Sequence, residues 1–131
     1  MRLFTLPFFL IALHAQGGAQ PSEADYVRRI NGYFQGETEV TVEGGRADIV
    51  TDTYAIEVEW APKWKHAIGQ ALWYALQTNR RPGIVLLPRP GAGRKDYRHL
   101  IRLQSTLDYA GLSGVRVWIW PDDFADWRGE P

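Results

Sequence analysis

The stretch from Arg46 to Tyr74 reads RADIVTDTYAIEVEWAPKWKHAIGQALWY, and its pattern decides the fold. Arg46 to Val50 alternates, with Ala47 and Ile49 expected on one face and Arg46 and Asp48 on the other. Thr51-Asp52-Thr53 turns the chain. Tyr54 to Trp60 alternates again, with Ile56, Val58 and Trp60 on one face and Glu57 and Glu59 on the opposite one. Pro62 suits the first turn of a helix, which the spacing extends to about Thr78. Its apolar stripe is Trp64, Ile68, Ala71, Leu72 and Ala75. Lys63, Ala67, Gln70 and Tyr74 line one edge of that stripe. Two acid-bearing strands are thus followed directly by a helix whose edge carries polar groups.

Upstream, residues 22–34 (SEADYVRRINGYF) predict an amphipathic helix. Ser22 is its N-cap, and Glu23 and Asp25 sit in the first turn, where the helix dipole favours negative charge. Glu37 to Val42 alternates and pairs with Arg46 to Val50 through a Glu43-Gly44-Gly45 hairpin turn. Downstream, Ile84 to Leu87 (IVLL) is a continuous apolar run, the mark of a strand covered on both faces. A Pro/Gly loop covers Pro88 to Gly93. Lys95 to Ala110 predicts a third helix, with Tyr97, Leu100, Ile101, Gln104 and Leu107 inward or near the boundary and a basic start at Arg94, Lys95, Arg98, His99 and Arg102. Val115 to Trp120 is the last strand, and the acidic-aromatic tail after Pro121 is expected to be loosely held. The order is α-β-β-β-α-β-α-β. The predicted class is α/β, a mixed β-sheet flanked by helices.

The chain has 131 residues, which suits one domain, and no internal repeat. Basic and acidic residues number 15 each, so no global charge excess announces nucleic-acid binding, and any such role must rest on a local site. The lack of cysteine excludes disulfides and cysteine-based zinc sites. No serine triad or phosphate loop is present. Arg2, the apolar run Leu3 to Leu13 and the small residues ending at Gly17-Gly18-Ala19 read as a secretory signal peptide cleaved after Ala19. Residues 1–19 are therefore expected to be removed, leaving residues 20–131 as a single exported domain, periplasmic or secreted, with no membrane attachment.

Hydrolysis of a phosphodiester calls for a divalent cation that activates water and offsets developing charge. Mg²⁺, or Mn²⁺, takes oxygen ligands, commonly one or two carboxylates with waters and substrate phosphate. Asp48 and Glu57 on neighbouring strands are the candidate ligands, with the Val58 carbonyl beside them. Glu59 is a further ligand or general base, and Glu39 on the first strand is an additional metal-ligand candidate. The bland alternatives are that Asp48 pairs with Arg46 or Arg80 as a structural ion pair, that Glu39 is a solvated strand residue, and that Gln70 and Tyr74 merely cap the sheet edge. His66 reads as a surface residue.

Asp48, the Glu57-Val58-Glu59 triplet and the element order together resemble the PD-(D/E)xK nuclease superfamily, the restriction-endonuclease-like fold, over Tyr26 to about Trp120. Gln70 to Tyr74 is similar to the QxxxY helix motif of RecB-type nucleases. The segments RxDxxTxTxAIE (Arg46 to Glu57), Lys63-Trp64, AIGQALxY (Ala67 to Tyr74) and PGIVL (Pro82 to Leu86) resemble a group of small uncharacterised bacterial proteins. The resemblance implies an exported Mg²⁺-dependent nuclease acting on DNA. Asp48, Glu57, Glu59 and Lys63 would be its catalytic residues, Gln70 and Tyr74 its substrate contacts. A homodimer is compatible with it. The superfamily triplet usually ends in Lys, whereas position 59 is Glu; Lys63 is the candidate for the displaced cation. The competing readings are a catalytically inactive nuclease-fold module that binds nucleic acid or protein, and a metal-dependent hydrolase of another substrate.

Overall fold

A computed structural model describes residues 18–127. Most of the segment read as a signal peptide lies outside them. The described chain runs α1 (Glu23–Phe34), β1 (Glu37–Val42), β2 (Gly45–Val50), β3 (Tyr54–Trp60), a 3-10 turn (Ala61–Lys63), α2 (Trp64–Thr78), β4 (Arg81–Leu87), α3 (Arg94–Tyr109) and β5 (Arg116–Ile119), with a second 3-10 turn at Asp122–Phe124. The five strands form one sheet in the order β1-β2-β3-β4-β5. The β1–β2 and β2–β3 pairs are antiparallel, and the β3–β4 and β4–β5 pairs are parallel. This is the α/β class and the element order expected from the sequence.

The sheet divides the core in two. On one face Ile49, Ile56, Val58, Val85 and Leu87 pack against Tyr26, Val27 and Ile30 of α1. On the other, Ile84 and Leu86 meet Trp64, Ala67 and Ala71 of α2 and Leu103 and Leu107 of α3. Alternate residues of β4 therefore serve different layers, which is why Ile84 to Leu87 is apolar throughout. A capping box holds the start of α1: the Ser22 hydroxyl accepts from the Asp25 N–H at 3.3 Å, and the Asp25 carboxylate accepts from the Ser22 N–H at 2.7 Å. Tyr26 then stands edge-on to Trp60 with ring centroids 5.4 Å apart, so the first turn of α1 lies over the carboxyl end of β3.

Three local expectations fail. The tail is not loosely held through Trp127. Phe124 is 4% exposed within the α1-side core, Asp123 accepts the Ile119 N–H at 2.7 Å, and the Trp127 ring lies against Gly32. In α3 the inward residues are Asp96, Leu103 and Leu107, while Ile101 is 64% exposed, so the buried stripe is rotated from the one read in the sequence. Ala47 and Ile49 do not share a layer: Ile49 joins the α1 side, whereas Ala47 packs with Ala55, Tyr74 and Ala75 of the α2 side. Alternation breaks at Asp48. Its opposite residue Glu39 has a left-handed φ of 58°, and that pair is missing from a register that otherwise links Thr38 to Ile49 and Val40 to Ala47.

Candidate active site

The break in alternation shapes the site. β2 and β3 pair only at Ile49–Ile56 and Val50–Ala55. Beyond that point the strands separate, and the Asp48 carboxylate takes the Val58 N–H at 2.8 Å in place of a ladder bond. Extending the register by one residue sets Asp48 against Glu57. The two carboxyl groups lie close enough to perturb each other's hold on a proton. Glu57 is 5% exposed, and its Oε2 has no hydrogen-bond partner among the described residues. Glu59 is also buried, and its Oε1 accepts the Trp60 N–H at 2.9 Å.

A fourth acid joins them. Glu23, in the first turn of α1, lies within the electrostatic reach of Glu59, Asp48 and Lys63. The sequence alone accounts for Glu23 only as a first-turn acid favoured by the helix dipole. No spacing rule links it to Asp48, and only the packing of Tyr26 on Trp60 brings the two together.

The charges shift each other. Burial, then the charges of Asp48 and Glu59, push the Glu57 carboxyl up to about 9. Burial raises Asp48 to about 6, although its hydrogen bond to Val58 and its contact with Glu57 oppose the rise. Glu23 is raised to about 7 by burial and then by Glu59 and Asp48, with Lys63 acting the other way. At neutral pH the cluster thus holds protons that free carboxyls would have released, and it is arranged as two pairs, Asp48 with Glu57 and Glu23 with Glu59.

The structural alternatives for Asp48 do not hold. Arg46 pairs with Glu39, and Arg80 donates to the Thr51 and Thr78 carbonyls. Among the described residues none of Asp48, Glu57 and Glu59 makes a salt bridge. Glu39 is an exposed strand residue engaged by Arg46, although its charge is still felt at Asp48.

The α2 candidates lie along one edge. Lys63 is exposed at the helix start, Gln70 has a buried Oε1 with no partner among the described residues, and Tyr74 is 5% exposed. Tyr74 packs on Ala47 and Ala55, with its hydroxyl over Gly45, where a Cβ would come within 2.7 Å of it. Its environment is that of a packing residue. Gln70 lies one turn nearer the acids. His66 is exposed, as expected. Arg80 and Arg81 do not join the basic start of α3, because the two groups flank opposite ends of β4, ~20 Å apart at strand rise.

Among the described residues no three His, Asp or Glu side chains converge as a ready cage for an ion. The donor set is therefore a carboxylate pair, which with waters and a substrate phosphate is what Mg²⁺ uses. The hard oxygen donors and the unpartnered Glu57 Oε2 fit such a cation.

Fold and site together describe a mixed α/β domain with a half-buried carboxylate cluster where two strands part. No family model matches the chain, and no solved structure matches it. A putative KilA-N domain-containing protein of Acanthamoeba polyphaga mimivirus is 37% identical over 54 residues, 41% of this chain. The match spans 22% of that viral protein's length. Its name states a domain and no activity, so a functional reading rests on the site.

Proposed function

We propose that the chain is a metal-dependent phosphodiesterase acting on nucleic acid, with DNA as the first substrate to test. The observation that carries this reading is the meeting of Glu23, Asp48, Glu57 and Glu59, from three separate elements, in one cluster, buried at Glu57 and Glu59 and half-buried at Glu23 and Asp48, without a salt-bridge partner among the described residues. A fold seldom collects buried carboxylates unless a cation or a proton-transfer step uses them, since each costs desolvation.

Asp48 and Glu57 would hold the cation, Mg²⁺ or Mn²⁺. Bound there, it would polarise the phosphate and offset charge on the leaving oxygen. Glu23, with a pKa of about 7, is matched to accepting a proton from the attacking water near neutral pH. Lys63, four residues beyond the Glu59 that replaces the superfamily triplet's Lys, offers its charge to the phosphate. The leader read at residues 1–19 supports action outside the cytoplasm.

The test is cleavage of plasmid, linear and single-stranded DNA by the purified protein in Mg²⁺ and in Mn²⁺, beside Asp48→Ala and Glu57→Ala. Metal-dependent cutting lost in both variants is expected. Cutting that survives in both refutes the site. No cutting by folded wild type on any substrate favours the inactive binding module, the reading that Glu59 in place of Lys supports.

A further inference from the structure

The loop after β4 carries a feature the proposed chemistry does not use. Asp96, in the first turn of α3, is 0% exposed, which is costly for a carboxylate unless it is paired. Its partner is Arg89. The Arg89 backbone N–H and Nε donate to Asp96 Oδ2 at 2.7 and 3.0 Å, and Nη2 donates to Oδ1 at 2.8 Å. Both carboxylate oxygens are engaged, and the guanidinium is held at one angle. The pair is lopsided: the Arg89 side chain is 55% exposed while that of Asp96 is wholly buried. The negative end is sunk in the protein and the positive end faces out.

What the positive end faces is a groove of about 580 Å³. Trp60, Pro62 and Lys63 line it together with Arg89 and Pro90, and with Gln20 and Pro21 from the segment before α1. This groove adjoins the carboxylate cluster, because Trp60 follows Glu59 directly and Lys63 lies within electrostatic reach of Glu23. Two cations and an indole thus rim an open space at the carboxyl ends of the parallel strands β3 and β4. Ligands of open α/β sheets bind at that end. Cations beside aromatic surface suit a nucleic-acid strand, with phosphate on the charges and a base along the ring.

We propose that Arg89 forms a phosphate subsite for the nucleic-acid strand, one step along the groove from the phosphate that Lys63 serves, and that Asp96 is the positioning residue that aims Arg89. The inference rests on the phosphodiesterase reading for the identity of its ligand. It is tested without catalysis.

The probe is a short fluorescein-labelled oligothymidylate, and its ribo-counterpart, titrated by anisotropy in EDTA across a salt series. Arg89→Ala alone would strand a buried carboxylate and endanger folding. The decisive variant is therefore the double Arg89→Gln, Asp96→Asn, which keeps amide hydrogen bonding across the clasp and leaves the net charge of the protein unchanged. A purely structural clasp predicts unaltered binding. The subsite predicts about tenfold weaker binding, and a salt-dependence slope reduced by ~0.7, the value for one phosphate contact on a single strand. Lys63→Ala in addition reduces the slope by a similar step. Binding and slope equal to wild type in a folded double variant overturn the proposal, as does wild type with no salt-dependent binding to either strand. Weakened binding in EDTA together with no cleavage in any metal would leave the subsite standing and remove the phosphodiesterase reading.

Discussion

Glu57→Gln should make this protein more stable and useless. In the folded chain burial and the neighbouring Asp48 and Glu59 hold the Glu57 carboxyl near 9, against an ordinary value of 4.5. A raised carboxyl contributes stability that is fully present below 4.5 and lost as the pH climbs toward 9. At about pH 7.5 the unfolded chain has released this proton and the folded chain still holds it, a gap of about three pH units or ~4 kcal/mol against the fold. Gln is neutral in both states and of nearly the same shape, so it removes that penalty. It also alters the contact with Asp48, at a cost of ~1–2 kcal/mol. The net gain is ~2–3 kcal/mol, or ~8–12 °C in Tm for a domain of this size. The assay is thermal unfolding of wild type and variant near pH 7.5 and near pH 4.5, with and without Mn²⁺. The variant should melt higher at pH 7.5 and no higher at pH 4.5. Mn²⁺ should raise the Tm of wild type only. Equal shifts at both pH values, or no shift at pH 7.5, would refute the electrostatic account of the cluster.

Other outcomes follow from single contacts. The cleavage rate of wild type should rise with pH through an inflection near 7, and Glu23→Gln should flatten that limb; an unchanged inflection would remove Glu23 from the proton transfer. Phe124→Ala should cost ~3–5 kcal/mol in urea unfolding, because its ring is buried between Tyr33, Phe34 and Trp120, whereas a loose tail would lose next to nothing. Gly45→Ala should cost ~1–3 kcal/mol by driving a methyl into the Tyr74 ring, with the added Cβ 2.7 Å from the hydroxyl and 2.9 Å from Cε1. Most of that cost should vanish in a Tyr74→Ala background, which a double-mutant cycle would measure.

The strands were legible because each carries a period the sheet imposes: Ile56, Val58 and Trp60 against Glu57 and Glu59 in β3, and the unbroken Ile84 to Leu87 in β4. Asp48 and Glu57 were legible as neighbours, since a short turn joins the two strands that carry them. The misreadings have physical causes. In α3 the buried stripe runs through Asp96, Leu103 and Leu107, and a charged residue at its head conceals it; the Arg89 that makes this burial tolerable sits in a loop seven residues earlier. Strict alternation in β2 put Ala47 with Ile49, but the left-handed turn of Glu39 opposite Asp48 carries Ala47 to the other layer. Glu23 was invisible as a site residue because its role depends on where α1 docks, which no local pattern encodes. Phe124 follows a Pro and two acids, the composition of a loose end, yet its ring completes an aromatic cluster with Tyr33, Phe34 and Trp120.

The central claim is that the Asp48–Glu57 pair holds a divalent cation in exchange for a proton. Calorimetric titration of Mn²⁺ into the full chain near pH 7, in two buffers of different ionisation enthalpy, tests it directly. The account predicts binding of one ion per chain with release of about one proton, and its loss in Asp48→Asn. Absence of binding by folded wild type, or undiminished binding by Asp48→Asn, would contradict it.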